Sequence, residues 1–161
     1  PLQPANFNCP GQIVISGSKA ACDRAEVLAL DFGAIKAIRL DVAGAFHTDM
    51  MSPAADDLSH ALSSCTLKDP APIKVLSNVT AGYYGSIEDV RPGLIRQLTS
   101  PILWQNCMEK LINEGIEYYY EIGPGRVLTG LMRRINRKTK VINVSSVEAL
   151  HTLHVEKQSL V

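Results

Sequence analysis

The amino-acid sequence predicts an α/β protein, and three observations support this fold class. Short β-branched segments alternate along the chain with longer segments rich in Ala, Leu and Glu, an order typical of helices packed on a mostly parallel sheet. The connections between these segments are short and contain Gly, Pro and Ser. The chain has 161 residues, of which 46% are hydrophobic and 20% charged, so it is long enough to bury a core.

Caps and breakers predict the helices. Ser18 can cap a helix over Ala20–Phe32, because a serine side chain accepts a hydrogen bond from a free N–H of the first turn. Gly33 suits the position just after that helix. Ser52-Pro53 is a cap followed by a proline at the first helical position. The remaining helices are predicted from Ser52-Pro53 to Ser64, from about Val90 to Leu98, from Ser100-Pro101 to Gly115 and from Val127 to Asn136.

Short apolar runs predict the strands. They are Gln12–Ser16, Ala37–Asp41, Ile73–Ser77, Tyr118–Ile122 and Lys140–Val144. Asp69–Pro72 reads as a stiff connector and Asn78–Ser86 as a turn-rich segment. From His151 onward we expect a frayed helix or a loose tail.

Composition excludes several classes of function. Sixteen basic residues balance sixteen acidic ones, which argues against bulk nucleic-acid binding because phosphate neutralisation needs a basic surplus. No apolar run is long enough to span a bilayer. The four cysteines fit no metal or redox spacing, so we expect free thiols, no metal site and a soluble intracellular setting. These cysteines are Cys9, Cys22, Cys65 and Cys107.

The segment Val42–Thr48 is the strongest candidate for chemistry. It delivers His47 in a small-residue loop directly after a predicted strand, and chemistry in α/β sheets collects at the carboxyl ends of strands. Imidazole is suited to proton transfer near neutral pH, so His47 is a candidate general base. The alternative is a histidine that is hydrogen-bonded to the backbone for structural reasons.

Two other polar residues could support that histidine. Asp49 could orient the imidazole, although a solvated or capping carboxylate is the favoured interpretation at so short a spacing. Gln97 lies near a predicted helix end, where an unpaired carbonyl group could accept the second imidazole N–H and fix its tautomer. The alternative for Gln97 is an exposed polar side chain.

Two features near the end of the chain allow a binding role. Gly123-Pro124-Gly125 joins a strand to a helix, either as a tight turn, which is favoured, or as an anion site made by backbone N–H groups. The stretch 126–140 contains six cations and no acidic residue, either as a solvated face or as a docking patch for an acidic or phosphorylated partner. These cations are Arg126, Arg133, Arg134, Arg137, Lys138 and Lys140.

Several motifs, in order, resemble one family. Asn6–Gly17 is similar to the N-x-P-G-Q-x-V-I-x-G segment of malonyl-CoA:acyl-carrier-protein transacylases, and Gly44–His47 is similar to the catalytic histidine loop of that family. Four further segments match in the same order, and the resemblance spans about Asn6 to Val144. They are Met51–Ala54, Ser77–Ala81, Arg96–Pro101 with Trp104, and Glu121–Gly125 with Leu128.

The resemblance implies a fold and a reaction. The fold is an α/β-hydrolase-like three-layer domain with an inserted ferredoxin-like subdomain. Residues 1–40 would be the C-terminal half of the subdomain, 41–150 the C-terminal half of the main domain, and 151–161 a tail. The family transfers malonyl from coenzyme A to the phosphopantetheine thiol of acyl carrier protein in fatty-acid synthesis, through a malonyl-serine. A coenzyme A thioester is thus the implied substrate, with no bound cofactor.

The resemblance also assigns roles to residues. His47 would be the base for the serine and then for the incoming thiol, and the Gln97 carbonyl would orient it. Asn8 would line the pocket near the thioester, Phe46 fits the malonyl-type loop, and Val127 would lie along the coenzyme A arm. Docking of the carrier protein would use Arg133, Arg134, Arg137 and Lys138.

One departure from the family is large, because the sequence holds no G-x-S-x-G elbow. The nucleophilic serine of the family, its malonyl-binding arginine and its oxyanion hole lie upstream of the inserted subdomain. We therefore expect this chain to be the C-terminal portion of a transacylase and to be inactive by itself. We expect the complete protein to be a monomer in a bacterial cytoplasm or an organelle matrix. Such a portion would expose unpaired strand edges, so we expect the isolated chain to be unstable or to aggregate.

Two alternatives stay open. The chain could be a non-catalytic module that binds acyl carrier protein through its basic residues. It could also be a piece of the acyltransferase domain of a polyketide or fatty-acid synthase.

Overall fold

The computed structural model describes residues 1–68 and 72–158, and it shows a mixed α/β chain. The strands are β1 (Leu2–Cys9), β2 (Gln12–Gly17), β3 (Tyr118–Ile122) and β4 (Lys140–Val144). The helices are α1 (Lys19–Asp31), α2 (Ser52–Ser63), α3 (Ile87–Gln97), α4 (Trp104–Asn113), α5 (Val127–Ile135) and α6 (Val147–Gln158). A 3-10 turn, Asp49–Met51, precedes α2. The chain divides into two compact units, Pro1–Cys107 and Met108–Val161.

In the first unit, β1 and β2 form an antiparallel hairpin whose pairs run from Leu2 with Gly17 to Cys9 with Gln12. Strand β1 is a structural element that the sequence pattern did not predict. Its Pro4 and asparagines are poor strand formers, and it is interrupted by two register shifts, which hide the period-2 alternation. Strand β2 confirms the strand predicted over Gln12–Ser16.

Local capping chemistry explains where the helices of the first unit begin. The Ser18 side chain accepts the Ala21 N–H at 3.3 Å, which confirms the predicted cap of α1. Helix α3 begins at Ile87, earlier than predicted, because Ser86 and Asp89 form a capping box. Ser52 lies in the first turn of α2 and does not cap it, since its hydroxyl donates to the Asp49 carbonyl at 2.7 Å.

Two predicted strands are wrong. Residues 37–41 have no regular structure, because an extended segment needs a neighbour for its backbone hydrogen bonds and none of the described strands pairs with it. Of Ile73–Ser77 only Leu76 forms a bridge, with Tyr83. The predicted turn at Asn78–Ser86 is confirmed by the hydrogen bond from the Ser77 N–H to the Gly82 carbonyl, at 2.8 Å. Asp69, Pro70 and Ala71 of the predicted connector lie outside the described residues.

The segment around residue 102 also differs from its prediction. Helix α4 begins at Trp104, although Ser100-Pro101 resembles a helix start. The Ile102 N–H donates to the Ala5 carbonyl and the Phe7 N–H donates to the Ile102 carbonyl, both at 2.8 Å. Because β1 uses both backbone groups of Ile102, this residue stays extended and the helix starts two residues later.

In the second unit, β3 and β4 pair in parallel from Tyr118 with Lys140 to Ile122 with Val144. Helix α5 connects them, as a parallel pair requires. Both strands and α5 were predicted, and α6 begins four residues before the helix or tail expected from His151. The described residues thus contain two separate two-stranded sheets, where the sequence predicted one mostly parallel sheet.

Large apolar side chains are exposed along one segment of the first unit. Ile35 is fully exposed and Phe32 is 87% exposed. Ile38, Leu40 and Val42 follow in the same segment and are also exposed. Arg39 ties the segment to α1 through ion pairs with Asp23 and Glu26. Contiguous exposed apolar side chains mark surfaces that associate.

We expect the 161-residue chain to self-associate, because these side chains are free to contact other copies. Light scattering after size exclusion, over a range of concentrations, should show species larger than a monomer. The change Ile38→Lys should reduce that association. A monodisperse monomer with a sharp, reversible melting transition would contradict the expectation.

Candidate functional site

His47 is held at two points by the end of α3. Its backbone N–H donates to the Leu98 carbonyl at 3.0 Å, and its ring Nδ1 lies 2.7 Å from the Gln97 carbonyl oxygen. A carbonyl oxygen can only accept, so Nδ1 carries the hydrogen in this contact. The neutral ring then has its lone pair at Nε2. The arrangement makes Nε2 a proton acceptor of fixed direction.

The end of α3 explains why these two carbonyl groups are available. The last carbonyls of a helix have no intrahelical donor. The Leu98 and Thr99 N–H groups close the final turn on Ile95 and Arg96, at 3.2 Å each. The carbonyls of residues 97 and 98 come next, and they accept the ring and the backbone of His47.

The loop that carries His47 has an unusual backbone. His47 has φ of 63°, in the left-handed region that non-glycine residues seldom adopt. Thr48 is buried, with 1% exposure, and its hydroxyl donates to the Ala45 carbonyl at 2.6 Å and accepts the Met50 N–H at 3.3 Å. Neighbouring Phe46 is 42% exposed, and its ring centroid lies 6.5 Å from that of His47. The internal hydrogen bonds of Thr48 therefore hold the turn that aims the imidazole.

Asp49 is engaged elsewhere. Its carboxylate accepts the Gln3 Nε2 hydrogen bond at 2.9 Å, and its backbone N–H donates to Gln3 Oε1 at 3.0 Å. Sequence reasoning considered Asp49 as a possible partner of the imidazole and did not consider Gln3 at all. No local pattern could have indicated Gln3, since it lies 46 residues away.

Asn8 lies on β1 at a register shift, between the pairs made by Phe7 and Cys9. A residue at a bulge has no cross-strand partner, and bulges redirect side chains near sites. The Asn8 side chain is half-buried. The first unit thus contains His47, Gln97, Phe46 and Asn8, and it brings His47 into direct contact with Gln97.

Three buried N–H donors of the first unit have no partner among the residues that the structure describes. They are Arg91 Nε, Gln97 Nε2 and Trp104 Nε1. A buried donor without an acceptor costs free energy, on the order of 1–3 kcal/mol. Gln97 therefore offers its backbone carbonyl to His47, while its side-chain N–H group has no acceptor among the described residues.

The second unit distinguishes between the two interpretations of Gly123-Pro124-Gly125, a tight turn and an anion site. The Glu121 carboxylate accepts the N–H groups of Leu128 and Thr129, at 2.9 Å each, and the Thr129 hydroxyl. The Thr129 hydroxyl is the main cause of the lowered pKa of Glu121. Since a carboxylate of the chain itself occupies the N-terminus of α5, the structure favours the tight turn over an anion site.

The other candidate residues of the second unit lie on α5 and just after it. Val127 is 72% exposed. The cations of this stretch are also exposed: Arg126, Arg133, Arg134, Arg137, Lys138 and Lys140. Lys140 lies over the Tyr118 ring, 4.6 Å from its centroid, and its Nζ donates to the Tyr118 hydroxyl. The basic stretch is therefore a solvent-facing surface.

Two kinds of feature are absent from the described residues. No cluster of three or more His, Cys, Asp or Glu side chains is placed to hold a metal ion. No helix within the described ranges combines the length and apolar character needed to cross a bilayer. All four cysteines are free, and burial raises the pKa of Cys107.

The site therefore supplies an imidazole base of fixed orientation, in a mixed α/β chain whose sequence holds no G-x-S-x-G motif. Comparison with known proteins shows which proteins this chain is similar to. A malonyl CoA-acyl carrier protein transacylase of Bacillus subtilis strain 168 is 44% identical over 162 residues, which cover 98% of this chain and 51% of the relative. No protein-family model matches the chain.

Solved structures agree with the sequence comparison. A malonyl CoA-acyl carrier protein transacylase from Clostridium perfringens superposes with a TM-score of 0.90 at 33% identity, covering 99% of this chain and 50% of that one. A malonyl-transacylase solved in complex with its type II PKS acyl-carrier protein gives a TM-score of 0.90 at 38% identity, covering 94% and 49%. The mixed α/β fold of this chain thus matches part of the solved malonyl-transacylase structures.

The family resemblance predicted from the motifs is confirmed. Over nearly all of its length, this chain is a homologue of the malonyl CoA-acyl carrier protein transacylases. The chain spans about half the length of the curated relatives it matches.

Close packing of α3 generates a stability prediction. A Cβ at Gly93 would lie 2.5 Å from Tyr84 Cε1, whereas a Cβ at Gly130 of α5 meets no atom within 4 Å. Gly93→Ala should therefore lower the free energy of unfolding by about 1 kcal/mol, because the Tyr84 ring must move. Gly130→Ala, the matched control, should raise it by roughly 0.4–1 kcal/mol through a less flexible unfolded chain.

Denaturant unfolding at low micromolar concentration, followed by the fluorescence of Trp104, measures both changes. Equal effects of the two alanines would show that Tyr84 does not restrict α3.

Proposed function

We propose that this chain is the histidine-bearing half of a malonyl CoA-acyl carrier protein transacylase. The observation that carries the proposal is the imidazole of His47, whose Nδ1 is bound to the Gln97 carbonyl so that Nε2 is left as the acceptor. This site belongs to a chain that is 44% identical to a protein named for that activity. The serine that would be deprotonated comes from a segment outside this chain.

The reaction proceeds in two halves. Nε2 takes the proton of the serine hydroxyl while the serine oxygen attacks the thioester carbonyl of malonyl-CoA, and the imidazolium then protonates the departing coenzyme A thiolate. In the second half, Nε2 takes the proton of the phosphopantetheine thiol, whose sulfur attacks the malonyl-serine ester. The serine oxygen leaves and regains its proton from the ring. The carbonyl contact of Gln97 serves both halves, because it fixes the tautomer and stabilises the positive charge on the ring.

Other residues take supporting roles in this proposal. Phe46 and Asn8 line the pocket for the malonyl thioester, and their partial exposure in the first unit supports this. Val127 contacts the coenzyme A arm, which its exposed side chain allows. No cofactor takes part, since the thioester itself supplies the activated acyl group.

The fold assignment is part of the same proposal. Residues 1–40 form the C-terminal half of a ferredoxin-like subdomain, and residues 41–150 form the C-terminal half of an α/β-hydrolase-like three-layer domain. The β1–β2 hairpin with α1 supports the first assignment, and the parallel β3–β4 pair joined by α5 supports the second. We further propose that the complete protein is a monomer of a bacterial cytoplasm, because the relatives named above are bacterial and the cysteines are free.

A second candidate function is favoured by the basic surface of the second unit. An acyl carrier protein that is acidic could dock on this surface without any chemistry, whether the chain comes from a discrete transacylase or from a polyketide synthase domain. One solved relative is a complex of a malonyl-transacylase with its carrier protein. In the transacylase, the same surface would recruit the carrier for the second half of the reaction.

The histidine is tested in the complete gene product that contains this chain. His47→Ala should lower the rate of malonyl labelling from malonyl-CoA by about a hundredfold to ten-thousandfold, the range typical of a general base. His60→Ala, an exposed histidine of α2, is the matched control and should leave the rate unchanged. Normal labelling of the His47→Ala protein would refute the proposed base, and the 161-residue chain by itself should take up no label.

The docking surface is tested by charge reversal. Arg133→Glu with Arg134→Glu should weaken carrier binding, and the loss should be larger at low salt because screening is weaker there. Lys19→Glu with Lys36→Glu makes the same change in net charge on the first unit and should have a smaller effect. Titration calorimetry at two salt concentrations measures both, and equal affinities for the two double variants would exclude a local docking site.

A further inference from the structure

We propose that Gln3 and Asp49 are a positioning pair, which fixes the strand that carries Asn8 relative to the loop that carries His47 and thereby sets the affinity for the acyl thioester. The inference rests on the proposed function. It concerns two residues that contact neither the His47 ring nor, in this proposal, the substrate.

A closed circuit of hydrogen bonds carries the inference. His47 is bound to the carbonyls of residues 97 and 98. Four residues later, Ile102 is bound to β1 through Ala5 and Phe7. At its other end, β1 returns to the histidine loop through Gln3, which is bound twice to Asp49. Three segments that are distant in sequence are thus linked in a closed circuit: β1, the loop that carries His47, and the segment from residue 97 to residue 102. Asn8 lies on the first of these segments and His47 on the second.

The Gln3–Asp49 pair closes this circuit with two hydrogen bonds, one between the two side chains and one from the Asp49 backbone N–H to the Gln3 side chain. Apart from its pairing with β2, β1 is held by backbone bonds to Ile102 near its centre, about which the β1–β2 hairpin can pivot as a unit. The two-point contact at Gln3 removes that freedom, because the amide both donates to the carboxylate and accepts the backbone N–H of residue 49. Loss of the pair should let the β1–β2 hairpin rotate about Ile102 and displace Asn8, while the imidazole keeps its own anchor on residues 97 and 98.

This geometry predicts a separation of kinetic effects. The anchor of His47 on residues 97 and 98 does not involve Gln3, so proton transfer should be preserved. Placement of Asn8 should suffer, so binding of the thioester should weaken. In the complete gene product, Gln3→Ala and Asp49→Ala should each raise KM for malonyl-CoA by about threefold to tenfold, the range of a lost hydrogen-bonding contact, with kcat within about twofold. The double variant should be no worse than the worse single one, because both changes break the same link.

An exchange of the two side-chain chemistries gives a rescue test. Gln3→Glu should harm binding more than Gln3→Ala at neutral pH, since two carboxylates would face each other. Gln3→Glu combined with Asp49→Asn should restore KM, because the glutamate accepts both the asparagine amide and the backbone N–H of residue 49. Asp57→Ala, an exposed carboxylate of α2, is the control and should change neither constant.

A second measurement does not depend on activity. In the 161-residue chain, Gln3→Ala should speed hydrogen exchange at the Asp49 amide, whose acceptor is Gln3 Oε1, and Asp57→Ala should not. Unchanged exchange, additive effects of the single variants on KM, or a loss confined to kcat would overturn the inference. If the unaltered protein takes up no malonyl label, the proposed function fails and the effect on KM fails with it, while the exchange measurement still decides whether the pair ties β1 to the loop.

Discussion

The hydrogen bonds between His47 and the end of α3 are the constraint on which the rest of the candidate site depends. A left-handed backbone at a histidine costs about 1–2 kcal/mol, and it persists only where the surroundings determine it. The two bonds to residues 97 and 98 contribute roughly 0.5–1.5 kcal/mol each, enough to offset that cost. The same two bonds provide donors for two carbonyls at the end of α3 that would otherwise lack them. Together they stabilise the His47 loop, and the bond to the ring also fixes the imidazole tautomer.

Use of a carbonyl group in place of a carboxylate has an electrostatic consequence. A carboxylate beside the ring would hold a full negative charge next to the proposed substrate, malonyl-CoA, which is itself an anion. A helix C-terminus offers only a partial negative charge, about half a unit, spread over several carbonyls. It can orient the ring and favour the imidazolium with less repulsion of a malonyl carboxylate. Asp49, the nearest carboxylate in sequence, is engaged by Gln3 and so does not take the orienting role.

Sequence could predict the elements that are specified locally. The cap at Ser18, the turn at residues 78–86 and the strand–helix–strand order of the second unit follow from short patterns, and all are present. Residues 37–41 have a strand-like sequence, yet strand formation depends on a partner, which sequence composition cannot supply. Strand β1 was missed for the opposite reason, because its partners β2 and Ile102 impose an extended form on residues of low β-propensity.

In the candidate site too, residues set by local sequence could be predicted, and residues set by distant partners could not. His47 could be selected from its place in a small-residue loop, whereas pattern alone did not select Gln97, whose role came from the family resemblance. Gln3 and the Asn8 bulge could not be selected, since both depend on pairings between segments that are far apart in the sequence. The segment that fails to form a strand, 37–41, leads directly into the His47 loop, and its large apolar side chains, Ile38 and Leu40, are 65% and 54% exposed. The proposed other half of the transacylase would supply a neighbouring strand. Its association would then pair the backbone of residues 37–41, cover their apolar side chains and bring the serine hydroxyl toward Nε2 of His47. Folding and activity would then be coupled, because the base is positioned by this chain alone whereas its substrate hydroxyl arrives only when the sheet is completed.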